Sequence, residues 1–253
     1  MNDSVERILD EVAGTEAVRE AELIDVRVGP FWTVVRTSIG TGLASTMKKE
    51  SDRDRAYPIA EAGSLLAFSP LELAARLRSR SAPEAAVGLA AVNALLRRPT
   101  GNLAEVNAAD LLCERANGRL LALVGHFPFV DRLREACREV WVFERGARQR
   151  PGDLGEQHME ELIPHAEVVA ITATTLSNGT LDGVIRLLGA EAFVVMLGPS
   201  TPYATSLFEA GFDALCGTVV VDDEAVVRAV SQGAVTGQIT GVRRMCLFRE
   251  DTA

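Results

Sequence analysis

Four short segments in the second half of the chain carry side chains that could bind a small ligand. Each follows an apolar, strand-like stretch: residues 125–128 ("GHFP"), 144–146 ("ERG"), 174–180 ("TTLSNGT") and 198–202 ("GPSTP"). In open α/β sheets, ligands bind beyond the carboxyl ends of the strands. The sequence therefore predicts that imidazole, carboxylate, hydroxyl and amide groups from these segments share one sheet edge.

The third and fourth segments contain residues that favour helix starts. Ser177 or Asn178 is placed to cap the helix that follows, and Ser200 or Thr201 to cap a helix that Pro202 starts. Unpaired backbone N–H groups at such helix ends favour negative charge. Two neighbouring ends would form a polar cradle for a carboxylate, a phosphate or a ligated oxygen. The alternative is that both are ordinary caps.

Glu144 follows Gly125 by about the 20 residues that separate a dinucleotide loop from its ribose-binding acid. However, the glycines of a GxGxxG loop are missing, and "HFP" would bring rings rather than bare backbone towards a pyrophosphate. The sequence therefore disfavours NAD and FAD. No CxxC, HExxH, GxSxG or P-loop pattern occurs, which disfavours a preassembled zinc site and a nucleophile triad.

The turn "GHFPF" is predicted to form a wall of the site. Gly125 lets the strand turn, Pro128 fixes the following backbone, and Phe127 or Phe129 packs against the N-terminal domain. His126 then faces the cleft, where it could hold an oxygen or one open metal position. The alternative is a structural histidine beside a core phenylalanine.

Composition limits the classes of partner. A net charge of −9 disfavours nucleic acid, whose phosphates need Lys and Arg. No stretch approaches the roughly 20 apolar residues of a membrane span, and the acidic N-terminus does not resemble a secretion signal. A cytoplasmic protein with four reduced, buried cysteines is therefore expected, rather than disulfides or metal ligands.

The order of elements predicts an α/β fold. "LIDVRVG" and "FWTVVRTS" indicate two strands joined at Gly29 and Pro30, and a glycine-marked loop, "IGTGLAST", follows them. Helices with clear start signals come next. From Leu120 onward, short apolar strands alternate with helices, which is typical of a parallel sheet covered on both faces. The predicted division is residues 1–105 and 106–253.

Several of these segments together resemble the putative heavy-metal-chelation family. They are "VGPFWTVVRTS", "GTGLAST", "EAAVGLAAVNALL", "LVGHFPFV", "VFER", "TTLSNGTLDGVI" and "MLGPSTP", in order over almost the whole chain. The resemblance implies a small α+β domain similar to the enolase N-terminal fold, followed by a Rossmann-like domain. It also implies a ligand site in the cleft between the two.

The resemblance also implies the residues of that site. Its ligand residues would be Thr41, Gly42, Ser45, Gly125, His126, Phe127, Pro128, Glu144, Thr174, Thr175, Asn178, Gly179, Thr180, Gly198, Pro199, Ser200 and Thr201. His126 and Glu144 are the candidate metal ligands. Because the set lacks a cysteine cluster, a metal already held by a small organic chelator suits it better than a bare soft metal.

Three hypotheses about function stay open at this point. The first is a protein that binds or processes a small anionic or metal-chelating metabolite. The second is an enzyme that uses a nucleotide-like cofactor such as S-adenosylmethionine. Glu144 and the sheet order support this hypothesis. The third is a scaffold or oligomerisation module. A small-molecule partner is expected, self-association is left open, and the sequence identifies neither the metal nor a reaction.

Overall fold

The computed structural model describes residues 3–48, 58–96, 102–146 and 149–250. Two sheets organise these residues. The small sheet is antiparallel, in the order β1 (Leu23–Val28), β2 (Trp32–Thr37), β3 (Thr41–Ser45). The large sheet contains β4 (Leu103–Ala104), β5 (Leu120–Val124), β6 (Glu139–Phe143), β7 (Val168–Thr172), β8 (Phe193–Leu197), β9 (Ala214–Val220) and β10 (Val242–Phe248).

Helices connect and cover these sheets. They are α1 (Asp3–Ala13), α2 (Glu16–Arg19), α3 (Pro70–Ala75), α4 (Ala82–Leu95), α5 (Ala108–Arg115), α6 (Val130–Ala136), α7 (Met159–Leu162), α8 (Thr174–Ser177), α9 (Leu181–Ile185), α10 (Ser206–Glu209) and α11 (Asp223–Ser231). Short 3-10 turns lie at 65–67, 76–78, 156–158, 163–165 and 236–238. No helix in the described part of the chain has the length and apolarity of a membrane span.

The large sheet has the order β4-β10-β9-β8-β7-β5-β6, and β5 to β9 are parallel. The order in which the strands are added reverses at β5: β6 lies on one side of β5, and the later strands β7, β8 and β9 lie on the other side. The predicted fold class is confirmed: a small α+β unit accompanies a mostly parallel, Rossmann-like sheet. Sequence patterns missed β10 and β4, which pair antiparallel at the far edge, because β10 begins with the exposed pair Arg243 and Arg244.

Side chains of the parallel strands alternate between two apolar clusters. Leu121 and Leu123 of β5 pack towards α5 and α6. Leu120, Ala122 and Val124 pack towards the opposite face, in a cluster that includes α1, α4 and the small sheet. Both faces of the parallel sheet are therefore covered, as the unalternating apolar strands predict.

The segment predicted as a glycine-marked loop is the third strand of the small sheet. Strand β3 lies directly on α4, and a Cβ atom built on Gly42 would be 2.2 Å from the backbone oxygen of Ala90 and from the backbone nitrogen of Ala94. Glycine is needed here because the strand and helix backbones are in contact. Helix α4 is alanine-rich for the same reason, with buried residues on all sides.

Two helices connect the small sheet with the second half of the chain. Helix α1 buries Val5 and Ile8 in the cluster that it shares with α9 and α10. Helix α11 covers the outer face of the small sheet, where Val226 and Val230 pack against Trp32. Since Leu103–Ala104 pairs with β10, the large sheet includes residues before 106. The division at residues 105 and 106 stays a prediction.

The prediction that all four cysteines are reduced, buried thiols is wrong. Cys216 and Cys246 lie directly opposite each other on β9 and β10, with Cα atoms 4.1 Å apart, and form a disulfide. Cys113 and Cys137 are free but only half-buried. The 30 residues that separate the bonded pair do not reveal this strand register, which alone brings their side chains together.

Candidate functional site

A cavity of about 800 Å³, which we call the cleft, opens at the carboxyl ends of β5, β6 and β7. Met47 and Lys48 reach its rim from the end of the small sheet. This position is the point where strand order reverses, and open α/β sheets bind ligands there. The cleft brings together eight of the residues named from sequence: Gly125, His126, Phe127, Glu144, Thr174, Thr175, Asn178 and Thr180.

The turn after β5 has the backbone that its sequence requires. Gly125 has a φ of +106°, and a Cβ there would be 2.9 Å from Cγ2 of Thr172 on the neighbouring strand. A side chain at this position would therefore be strained and would contact β7. Glycine at the strand end lets residue 126 turn into the cleft.

His126 has a partner at each ring nitrogen. Nδ1 lies 3.1 and 3.0 Å from the two carboxylate oxygens of Asp153, and Nε2 lies 2.9 Å from Nη1 of Arg150. A carboxylate only accepts and a guanidinium only donates, so the neutral ring carries its hydrogen on Nδ1 and accepts at Nε2. The Asp153 side chain is fully buried, and that of His126 is 12% exposed.

Asp153 and Arg150 were not found from the sequence, where they lie in a loop after β6. A tight turn brings them together: the backbone N–H of Arg150 donates to Asp153 at 2.9 Å, and Gly152 has a φ of +89°. The available signal was the run Arg-Pro-Gly-Asp, a turn sequence whose acid can bond to the backbone. Nothing local connects that turn to His126, which is 27 residues away.

Glu144, at the end of β6, binds the backbone of the turn that follows β5. One carboxylate oxygen accepts the backbone N–H of His126 at 3.2 Å, and the other accepts the backbone N–H of Arg145 at 2.9 Å. Arg145 forms an ion pair with Glu156, 2.8 Å away, and both residues line the cleft. The Glu144 carboxylate is thus fixed beside the histidine and retains lone pairs for a ligand.

The segment after β7 supplies hydroxyl and amide groups. The Thr174 hydroxyl lies 3.1 Å from that of Thr172. The side-chain oxygen of Asn178 accepts from the backbone N–H of Thr180 at 3.1 Å and from its hydroxyl at 2.7 Å. This contact forms a turn before the helix and is not a cap: α9 begins at Leu181 with Thr180 at its N-cap and no side-chain cap, so the prediction that Ser177 or Asn178 caps this helix is wrong. The Asn178 amide nitrogen is the donor available to a ligand.

The other named residues lie elsewhere. Pro128 and Gly179 are exposed beside the cleft, and Gly198 turns the chain after β8. Pro199 accepts a hydrogen bond from Thr218 through its carbonyl. Thr41, Gly42 and Thr201 line a separate cavity of about 230 Å³.

Ser45 and Ser200 join the two sheets rather than line the cleft. The Ser45 backbone N–H donates to the Ser200 hydroxyl at 2.8 Å, and the two hydroxyls are 3.1 Å apart. The prediction that Pro202 starts a capped helix is wrong, since α10 begins only at Ser206. Glu11 of α1 accepts the backbone N–H groups at that helix start, so no local cap is needed.

The prediction that Phe127 or Phe129 packs against the N-terminal domain is also wrong. The two rings stack on each other with centroids 5.5 Å apart, and both belong to the cluster of α5 and α6. The buried apolar residues of the N-terminal elements belong to the cluster on the opposite face of the sheet. His126 nevertheless lines the cleft, as predicted.

The described residues contain no group of three or more His, Cys, Asp or Glu side chains that could hold a metal ion. His126 and Glu144 are the predicted metal ligands, and they alone do not complete a coordination sphere. Their role in metal binding stays a prediction.

Comparisons with known proteins agree with this architecture. Two family models, both described as "Putative heavy-metal chelation", match residues 11–96 and 107–248. An uncharacterized protein of Methanocaldococcus jannaschii is 29% identical over 150 residues, which are 57% of this chain and 58% of that protein. The chain therefore matches little more than half the length of this curated relative.

Two crystal structures of proteins of unknown function have the same fold. The protein from Desulfitobacterium hafniense has a TM-score of 0.79 and 23% identity, covering 98% of this chain and 99% of that chain. The protein from Pyrococcus horikoshii has a TM-score of 0.82 and 21% identity, covering 97% and 100%. At these identities the likeness concerns the fold alone.

Proposed function

The chain belongs to the family described as "Putative heavy-metal chelation", and we propose that its cleft binds a small anionic molecule that chelates a metal ion. The metal is cargo, and the protein recognises mainly the chelator. The observation that carries this proposal is His126, held by buried Asp153 and covered by Arg150, at the strand-order reversal.

Arg150 gives the site a way to detect an anion. Its guanidinium donates to a neutral imidazole in the described state, at 2.9 Å. Guanidinium groups bind carboxylates and phosphates by two parallel, charge-assisted hydrogen bonds, which are stronger than a bond to a neutral acceptor. Arg150 is exposed beside His126, so an anion bound next to the imidazole competes for the guanidinium and draws Arg150 away from His126.

That movement exposes the Nε2 lone pair of His126. Asp153 keeps the hydrogen on Nδ1, so Nε2 stays an acceptor. It can then accept from a hydroxyl or amine of the bound molecule. Glu144, 3.2 Å from the backbone N–H of His126, is positioned to accept a second such group.

These complementary groups favour a hydroxycarboxylate or aminocarboxylate. Carboxylate oxygens suit Arg150 and Lys48, whereas hydroxyl or ammonium groups suit Glu144 and His126. Molecules of this class bind metals through the same oxygen and nitrogen atoms. A cleft of about 800 Å³ is within the range of small-molecule sites.

The first test is native mass spectrometry with elemental analysis of protein purified from its own host. We expect a bound small anion and a metal in a fixed ratio. Arg150→Gln should remove both, whereas Arg138→Gln, at the opposite end of β6 and paired there with Glu167, should retain them. Equal retention by the two variants, with melting temperatures unchanged, would contradict the proposal.

A second candidate is an enzyme that binds an adenosyl cofactor such as S-adenosylmethionine. The observation that favours it is Glu144, which follows β6 at the position where Rossmann-like folds bind ribose hydroxyls. Calorimetric titration with S-adenosylmethionine discriminates the two. Binding that is lost in Glu144→Gln and kept in Glu139→Gln would favour the cofactor, whereas absence of heat would exclude it.

A further inference from the structure

Among the residues that the structure describes, no strand pairs with the outer edge of β1. In the small sheet of the described structure, β1 pairs only with β2. The Gly29 N–H donates to the Trp32 oxygen at 2.8 Å, and Arg27 is paired with Val34 two positions further along. Hydrogen-bonded pairs alternate along an antiparallel ladder. The N–H and C=O groups of Val26 and Val28 therefore point away from β2.

Apolar side chains flank this edge. Ile24 is 48% exposed and Val28 is 42% exposed, at the two ends of the same short strand. Phe31 is 49% exposed in the turn that follows. Exposed apolar residues concentrated on an unpaired strand edge are typical of a surface that another strand covers.

The charges of β1 are symmetric about Val26. Asp25 and Arg27 flank it and form an ion pair within the strand, 2.8 Å apart. A second β1 strand running antiparallel with Val26 opposite Val26 would place each Asp25 opposite an Arg27. The same register brings Ile24, which lies at the bulge between Leu23 and Asp25, towards Val28 of the second copy, so exposed apolar residues also approach each other.

We propose that two copies of this chain pair through β1 in this register and form a continuous six-stranded antiparallel sheet. Outward-facing groups of Val26 meet those of the second copy, and the regular ladder ends towards Ile24, where a bulge between Leu23 and Asp25 interrupts β1. Registers centred on Asp25 or on Arg27 also align outward-facing groups. They would place like charges opposite each other, which is unfavourable.

Charged residues on an edge strand often prevent pairing. In β1, Asp25 and Arg27 have opposite charges and flank Val26. They disfavour the registers centred on Asp25 and on Arg27, and they favour the register centred on Val26. The charge pattern therefore selects a partner with the same sequence. The inference concerns a surface away from the cleft and does not depend on the proposed function.

The test is the mass in solution, measured by light scattering and sedimentation over a series of concentrations. We expect the mass to rise towards twice the 27.1 kDa of one chain. Arg27→Asp and Asp25→Arg should each reduce dimerisation at least tenfold, because each variant opposes like charges. The control Arg119→Asp, at an exposed site beside the large sheet, should dimerise normally.

Mixing the two variants gives the sharpest result. Chains with Arg27→Asp and chains with Asp25→Arg should form a heterodimer, and the double variant Asp25→Arg, Arg27→Asp should recover the homodimer. The mass of a single chain at every concentration would overturn the proposal. So would single-charge variants that dimerise as well as the unaltered protein, because the proposed register could not accommodate them.

Discussion

Replacing Asp153 by Asn should disturb the histidine of the cleft while the fold is retained. The buried carboxylate accepts from Nδ1 of His126, 3.0 Å away, and from the backbone N–H of Arg150, 2.9 Å away. Asn can keep the second bond through its oxygen. Both bonds end on the same oxygen, Oδ2, so the Asn amide nitrogen takes the place of Oδ1, 3.1 Å from Nδ1. It cannot accept from Nδ1, so two donors face each other and the charge-assisted bond is lost, which costs about 1.5–3 kcal/mol.

For a chain of this length, each kcal/mol lowers the melting temperature by roughly 2–4 °C, so we expect a fall of about 3–12 °C. The imidazole should also change tautomer, with its hydrogen moving to Nε2, where it faces Arg150. Nitrogen chemical shifts of the histidine side chain report this directly. A normal melting temperature together with a hydrogen still on Nδ1 would refute the assignment of Asp153 as the residue that orients His126.

Three further outcomes are expected. Gly42→Ala should lower the free energy of unfolding in urea by about 3 kcal/mol or more, because the new Cβ would lie 2.2 Å from the backbone oxygen of Ala90. A smaller loss would show that β3 and α4 can separate. Glu11→Ala should cost about 1–2 kcal/mol in the same assay, since Glu11 accepts the Thr205 backbone N–H at 2.8 Å, and an unchanged midpoint would rule out this capping. Burial raises the pKa of the Cys137 thiol to about 11, so alkylation of Cys137 at pH 9 should be slower in the folded protein than in the unfolded chain, and equal rates would contradict this. The contribution of the protonated thiol to stability should be full below the unfolded pKa near 9 and be lost as pH rises through 11.

The fold was predictable where local patterns carry the information. Apolar runs located β5 to β8, and the start signals of the helices between the two sheets were correct at α3, where Ser69 and Glu72 form a capping box. Patterns failed where pairing is long-range. Strand β10 carries Arg243 and Arg244 at its start and needs β9 beside it to be recognised. The disulfide of Cys216 was missed for the same reason, because its position depends on strand register.

The candidate site was also predictable from the sequence only in part. Gly125, His126 and Glu144 follow predicted strands, and the topology of parallel sheets brings strand ends together. Asp153 and Arg150 could not be found, because their relation to His126 depends on how a long loop returns to the sheet edge. A sequence pattern therefore indicated the edge, and tertiary structure alone supplies the partners of the imidazole.

The position of α11 on the small sheet has a consequence for synthesis on the ribosome. Trp32 and Leu43 on the outer face of that sheet contact apolar partners, Val226 and Val230, that come about 180–200 residues later in the chain. At 5–20 residues per second, that delay is roughly 10–40 s. During this time the nascent small sheet carries an uncovered apolar face, so a chaperone that shields it should be most useful to this protein before translation ends.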